Sequence, residues 1–226
     1  MAKSNVLAEK RAKILRMVRL SLFVAIEVIL TLLYIPVGTI NLNFGLVPIV
    51  IAAVFISPMS GAFIGAVSGF VTMIQVLGGQ SPFYAFLITA NPVAASILCI
   101  VKTTAAGLVA GYAYHGLKAL GSLTPEKKFA AMLVKPFRFA SVNTAVAAVL
   151  CPVVNTGLFA LGMLTIFGNA MMADPVISTW TTGGLFALVF VVLIGINFFV
   201  ELALNIVVCP VLAKALRSTK FFKSTH

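Results

Sequence analysis

The chain has 226 residues, of which 61% are apolar and only 9% carry a charge, whereas an ordinary soluble domain has about 25% charged residues. This composition excludes a water-soluble globular protein and leaves little length for a soluble domain. The net charge of +11 does not indicate binding to nucleic acid, because the basic residues flank apolar runs. We expect them to contact anionic lipid head groups instead.

Six apolar runs predict six membrane-spanning helices, because a helix needs about 20 mostly apolar residues to cross roughly 30 Å of hydrocarbon. The runs cover residues 14–35, 46–58, 60–77, 92–116, 139–167 and 184–213. The second run is short and ends at Ser57-Pro58, and the residue before a proline disfavours helical geometry. A five-span protein is therefore the main topological alternative. We predict an all-α membrane protein in which residues 1–226 form a single membrane domain.

The distribution of Lys and Arg predicts the orientation, since short cytoplasmic segments collect these residues. Three segments rich in Lys and Arg are expected in the cytoplasm: the N-terminal residues 1–13, the loop 117–138 and the tail 214–226. Three connections contain no Lys or Arg: 36–45, 78–91 and 168–183. Six spans place all three of these connections outside and both termini in the cytoplasm.

Two of the predicted helices carry small residues at intervals of four. Gly61, Gly65 and Gly69 form a stripe in the third span, which allows another helix to approach closely. Ser21 and Ala25 form a shorter pair of the same spacing in the first span. We expect the glycine stripe to serve helix packing.

Three ionisable side chains fall well inside the apolar runs: Glu27, Lys102 and Glu201. A charge in hydrocarbon costs at least about 2.5 to 3.5 kcal/mol on insertion scales, so each should face the interior of the bundle. One interpretation is an ion pair between Lys102 and Glu201 that only holds two helices together. The other is that Lys102 neutralises an anionic ligand while a glutamate accepts hydrogen bonds from its hydroxyl or amide groups.

Polar uncharged side chains provide further candidates for a ligand site. Asn197, Glu201 and Asn205 recur every four residues, which puts them on one face of the last helix. Others lie in the remaining spans and in the predicted outer loops: Gln75, Asn91, Asn143, Thr144, Asn155, Thr156, Asn41, Asn43, Tyr84 and Trp180. Helix-to-helix hydrogen bonding is the alternative for each amide or hydroxyl, and Trp180 could anchor at the interface or cover a pocket.

The chain contains none of the common motifs for phosphate binding, zinc proteolysis or a serine nucleophile. Neither His115 nor His226 is placed to pair with a nucleophile or to bind a metal. The cysteines lack metal-ligand spacing and are expected to be small buried side chains: Cys99, Cys151 and Cys209. We therefore expect no enzyme activity, no metal and no cofactor in this chain.

Four features together resemble the substrate-binding S component of an energy-coupling factor (ECF) vitamin transporter. They are the basic N-terminus before the first span, the short second span, the Ser57-Pro-Met-Ser-Gly-Ala-Phe-Ile-Gly65 turn, and the run from Asn197 to Pro210. The resemblance extends from Arg19 to Leu216. It implies a six-helix subunit that captures a vitamin from outside and docks onto a membrane T component coupled to two cytosolic ATPases.

The resemblance also implies roles for particular residues. Small residues of the first helix form a docking face in this family, and the corresponding pair here is Ser21 and Ala25. Ligand groups come from helices four to six and the loops above them. We predict this substrate-binding set: Asn43, Gln75, Tyr84, Asn91, Lys102, Asn155, Thr156, Trp180, Asn197 and Glu201.

Within the family, the segment Pro152–Met163 is most similar to the members that handle pantothenate. Riboflavin and folate are the next candidates. A self-sufficient secondary transporter is the alternative of another class, but such proteins usually show internal repeats, and none is evident here. We expect the protein in the plasma membrane of a Gram-positive bacterium.

Overall fold

The computed structural model describes residues 2–33, 35–37, 40–42, 44–123 and 134–219. The helices are α1 (Ala2–Leu32), α2 (Leu46–Phe55), α3 (Pro58–Leu77), α4 (Pro82–Ala90), α5 (Pro92–Gly121), α6 (Ala140–Thr165), α7 (Gly168–Ala173), α8 (Gly184–Ala187) and α9 (Gly195–Ser218). A π-helical stretch, Leu188–Ile194, joins α8 to α9, and 3₁₀ turns cover Lys135–Arg138 and Ile177–Trp180. The strands β1 (Ile35–Val37) and β2 (Ile40–Leu42) form an antiparallel hairpin.

Three helices begin with the same N-terminal motif, a polar N-cap residue followed by proline. The side chains of Ser57, Ser81 and Asn91 accept hydrogen bonds from backbone N–H groups at 3.1, 3.2 and 3.0 Å. Proline occupies the first turn of each helix, where its missing N–H removes no helical hydrogen bond. The chain therefore turns sharply at these points and resumes as a helix without loss of backbone pairing.

Four of the six predicted spans correspond to helices long and apolar enough to cross a membrane: Pro58–Leu77, Pro92–Gly121, Ala140–Thr165 and Gly184–Ser218. The helix α1 has 31 residues, but Arg16, Arg19 and Glu27 interrupt its apolar part. The helix α2 has only 10 residues, about 15 Å at 1.5 Å per residue. Eight of these residues are buried, so α2 belongs to the protein core.

The glycine stripe packs α3 against α5, as the sequence predicts. A Cβ atom added at Gly61 would lie 2.8 Å from the Gly107 carbonyl oxygen, and one at Gly69 would lie 2.5 Å from that of Cys99. Between them, Gly65 faces the Thr103 backbone even more closely. The two backbones thus touch at three positions over about two helical turns, which confirms the prediction of close packing.

Side-chain contacts define two ends of the bundle. At the basic end, Arg217 donates hydrogen bonds to the hydroxyls of Tyr114 and Thr144 at 3.2 and 3.0 Å. At the hairpin end, an apolar cluster contains Phe83, Phe167 and neighbouring residues of α4, α6 and the π-helical stretch. Residues 124–133 and 220–226, in the predicted cytoplasmic loop and tail, lie outside the described residues.

Candidate functional site

A cavity lies toward the hairpin end of the bundle, between α3, α4, α5, α6 and α9. The space between its walls, with the open solvent at its mouth included, measures about 910 Å³. Its wall combines polar side chains with apolar and aromatic ones. The polar and aromatic side chains of the wall include Ser68, Tyr84, Lys102, Asn155, Thr156, Phe159, Asn197, Phe198 and Glu201.

Six of the ten predicted substrate-binding residues line this cavity: Tyr84, Lys102, Asn155, Thr156, Asn197 and Glu201. They come from α4, α5, α6 and α9, so residues far apart in the chain meet around one space. Asn155 and Asn197 each have a buried Oδ1 atom with no hydrogen-bond partner. Because buried polar atoms in proteins are nearly always paired, these two amides are available to a ligand.

The two charged residues of the cavity do not form the ion pair that the first interpretation requires. Over the described ranges, no contact within 4.0 Å joins the Lys102 ammonium to the Glu201 carboxylate, although the two charges attract each other electrostatically. The Lys102 Nζ atom lies over the ring of Phe159, 5.3 Å from its centroid. Glu201 is only 8% exposed. Both charges therefore face the cavity without neutralising each other directly.

The remaining members of the predicted set lie elsewhere. Gln75 is buried and donates a hydrogen bond to the Thr31 carbonyl oxygen at 3.0 Å. Asn91 is exposed and caps α5. Trp180 packs against the apolar cluster of the hairpin end. Asn43 lies outside the described residues.

Three amides or hydroxyls that the sequence also suggested have local partners. Asn205 donates to the Glu201 carbonyl oxygen at 2.8 Å, one turn earlier in α9. Asn143 donates to the Phe137 carbonyl oxygen at 2.9 Å, and Thr144 bonds within the first turn of α6. These side chains serve helix ends and helix interiors. None of the three lines the cavity.

Glu27 is fully buried beside the cavity wall and does not line it. Its Oε1 atom accepts a hydrogen bond from the Thr31 hydroxyl at 2.9 Å, and that hydroxyl lies 3.4 Å from the Ser68 hydroxyl, which does line the cavity. The Oε2 atom has no hydrogen-bond partner. A chain of hydroxyls thus connects the carboxyl group of α1 to the ligand space.

Tyr84 was predicted, but the phenylalanines of the cavity wall were not. Phe159 follows Asn155 by four residues, which places both on one face of α6, and Phe198 follows Asn197 directly. Ser68 and Thr72 have the same spacing on α3. Counting four residues on from Asn155 would have predicted Phe159 as a lining residue. The other apolar lining residues differ in no sequence feature from apolar residues that face lipid.

The predicted docking pair lies on the outside of α1. Ser21 and Ala25 are both exposed, whereas Phe23 and Glu27 on the same helix are buried. The Ser21 hydroxyl donates to the Met17 carbonyl oxygen at 3.0 Å, so it is satisfied within its own helix. The pair therefore presents a shallow surface of small side chains.

The chain matches a known protein family. The family described as "ECF transporter, substrate-specific component" matches residues 15–213 of this chain. No curated protein matches the chain. The match covers most of the sequence, and with the four long apolar helices it shows a multi-pass membrane protein.

Proposed function

We propose that this chain, which belongs to the family of substrate-specific components of ECF transporters, captures a vitamin from outside the cell and delivers it inward after docking on a T component and two ATPase subunits. The observation that carries the proposal is the cavity. It combines one cation, one carboxyl group and two unpartnered amide oxygens within an apolar wall. In this proposal the chain needs no cofactor, and its partners hydrolyse ATP.

Pantothenate is the ligand that the cavity chemistry favours. Its single carboxylate matches the single cation that lines the cavity in the described part of the chain, Lys102. Its hydroxyl and amide N–H groups suit the open oxygens of Asn155 and Asn197 and the carboxyl group of Glu201, and its two methyl groups suit the Phe198 side of the wall. Folate has two carboxylates and would leave one unpaired, whereas riboflavin is uncharged and would leave Lys102 without an anion.

The paths of α1 and α2 support six crossings of the membrane. Arg16 of α1 bonds the Ser57 hydroxyl at one end of α3, and Gln75 bonds the Thr31 carbonyl at the other. The 18 residues between Ser57 and Gln75 rise about 27 Å, close to the thickness of the hydrocarbon core. The helix α1 therefore traverses the same depth as α3.

In this proposal the second crossing combines the short helix α2 with the chain that precedes it. A Cβ atom at Gly45 would lie 3.2 Å from the Ser68 hydroxyl, near the middle of α3. The helix α2 begins there and covers only the half of the bundle nearer the basic end. With this crossing, the Lys- and Arg-rich segments and both termini lie in the cytoplasm, as the positive-inside rule requires. We propose a location in the plasma membrane, which the family match and the apolar helices support, and the Gram-positive host stays a prediction.

The first experiment is titration calorimetry of the detergent-purified chain with pantothenate, riboflavin and folate. We expect saturable binding of pantothenate alone, without any partner subunit. Binding of riboflavin or folate instead would support vitamin capture but contradict pantothenate as the ligand. A folded sample that binds none of the three would contradict the vitamin assignment.

Transport is tested in proteoliposomes. We expect pantothenate uptake only when the chain is reconstituted with a T component, both ATPases and ATP. Uptake by the chain alone would favour a self-sufficient secondary transporter. The Lys102→Met variant is the matched control, because it should insert and dock normally while losing the ligand.

A further inference from the structure

The cavity wall contains a contact between Lys102 and Phe159 that plays no part in the vitamin assignment. The Lys102 Nζ atom lies 5.3 Å from the centroid of the Phe159 ring. Phe159 in turn packs edge-on against Phe83, with 6.2 Å between ring centroids, and Phe83 is 1% exposed. A buried ring of α4 thus fixes the ring of α6 on which the ammonium rests.

This contact competes with a second possible partner of the ammonium. Glu201 lines the same cavity and attracts Lys102 electrostatically, yet the two groups do not meet within 4.0 Å among the described residues. If they did, the pair would be neutral toward a ligand and neither group would be free to bind it. A cation over an aromatic face keeps its full charge, because the ring contributes only a quadrupole.

We propose that Phe159 is a specificity-determining residue: its ring holds the Lys102 ammonium away from Glu201 and so reserves it for the anionic group of the ligand. Phe159 acts here as a positioning residue through Lys102. The proposal rests on the proposed function, since it concerns the same cavity. It assigns the preference for a carboxylated ligand over its neutral analogue to an aromatic side chain.

The binding test compares pantothenate with pantothenol, in which a primary alcohol replaces the carboxylate. Phe159→Leu should weaken pantothenate binding by about 5- to 30-fold, the equivalent of a desolvated cation–π contact, and should change pantothenol binding little. Phe186→Leu is the matched control, because Phe186 is 69% exposed and does not line the cavity. Equal losses for both ligands in Phe159→Leu would overturn the proposal.

A second comparison separates this role from simple packing. In a Glu201→Gln background the competing carboxylate is absent, so Phe159→Leu should reduce the ratio of pantothenate to pantothenol affinity less than threefold. A packing role would give the same reduction in both backgrounds, and that result would refute the competition with Glu201.

A ligand-free measurement keeps the proposal testable if the vitamin assignment fails. Lysines of the purified chain are labelled by reductive methylation with ¹³C-formaldehyde, which preserves their charge, and the Lys102 signal is identified by its loss in Lys102→Arg. We expect a ring-current shift of this signal that disappears in Phe159→Leu and persists in Phe186→Leu. An unchanged signal in Phe159→Leu would contradict the contact itself, whereas absence of pantothenate binding in the wild type would overturn only the proposed ligand.

Discussion

Replacing Asn155 by leucine should change stability and binding in opposite directions. The two side chains have nearly the same shape, and Asn155 is only 7% exposed. Its Oδ1 atom is buried without a hydrogen-bond partner, so the ligand-free protein bears the desolvation of that atom. Removing a buried unsatisfied polar group recovers about 1 to 3 kcal/mol. We therefore expect Asn155→Leu to be more stable than the wild type when no ligand is present.

Binding should weaken in the same variant, because a ligand donor would lose its acceptor. One hydrogen bond contributes about 0.5 to 1.5 kcal/mol net, or roughly a 2- to 12-fold change in Kd. The assay is thermal unfolding in detergent with and without pantothenate, combined with calorimetry. A stabilisation of 1 kcal/mol corresponds to a rise in Tm of about 2 to 4 °C for a chain of this size.

Asn143→Leu is the matched control. Asn143 is also buried, and its Oδ1 atom likewise has no hydrogen-bond partner, but its amide N–H donates a hydrogen bond to the Phe137 carbonyl oxygen at 2.9 Å and the residue lies at the basic end. Its replacement also breaks this hydrogen bond, so Asn143→Leu should have a lower Tm than Asn155→Leu and should leave pantothenate binding unchanged. A lower Tm for ligand-free Asn155→Leu would refute the reasoning, because it would show that the Asn155 amide already has a partner.

Three further predictions concern the ligand charge, the docking face and the glycine stripe. Lys102→Met should weaken pantothenate binding by about 1.5 to 3 kcal/mol and spare pantothenol in calorimetry; an equal loss for both would argue against charge recognition. Ser21→Leu should abolish ATP-dependent uptake with binding retained, because it enlarges the exposed face of α1; normal uptake in proteoliposomes would move the docking face elsewhere. Gly65→Val should lower Tm sharply, because its side chain would overlap the Thr103 backbone, whereas Gly157→Ala, with open space around it, should be tolerated.

The polar half of the cavity could be predicted because charges and amides stand out in an apolar chain. Lys102, Asn155, Asn197 and Glu201 have few physical alternatives in a membrane, where each must find a partner or a ligand. The spacing of Asn197 and Glu201 also gave their common face correctly. Asn143 is also an amide within an apolar run, yet it lies at the other end of the bundle. The periodicity of a helix predicts which residues share a face but not which other helix that face contacts.

The apolar half could not be predicted for the opposite reason. Apart from Phe159, which its spacing from Asn155 indicates, the phenylalanines look alike in the sequence: Phe198 lines the cavity, while Phe63 and Phe199 are 51% and 66% exposed. In a soluble protein, water would distinguish an inner from an outer phenylalanine. In a membrane protein both environments are apolar, so only the packing of helices decides which ring meets a ligand.

The length of the second apolar run, and not its hydropathy, indicated that this run does not cross the membrane as a single helix. A run of this length is too short to cross, and the structure explains how the chain accommodates it: α2 is buried, and Leu46 at its start lines the cavity. Phe44 and Gly45, which directly precede α2, therefore reach the depth of Ser68 outside any helix. Irregular backbone is tolerated at that depth when it is buried in protein or borders a cavity.

The cavity leaves several polar groups unsatisfied at the same place, and this arrangement is better explained by ligand binding than by stability. Lys102 and Glu201 make no direct pair, and the Oδ1 atoms of Asn155 and Asn197 have no partner among the described residues. Each group is destabilising while the cavity is empty. A ligand that satisfies them all stabilises the folded chain by an amount that grows with the ratio of its concentration to its Kd. Vitamin binding should therefore raise the Tm of the wild type more than that of Asn155→Leu, and the difference between the two shifts measures what the open amide contributes to capture.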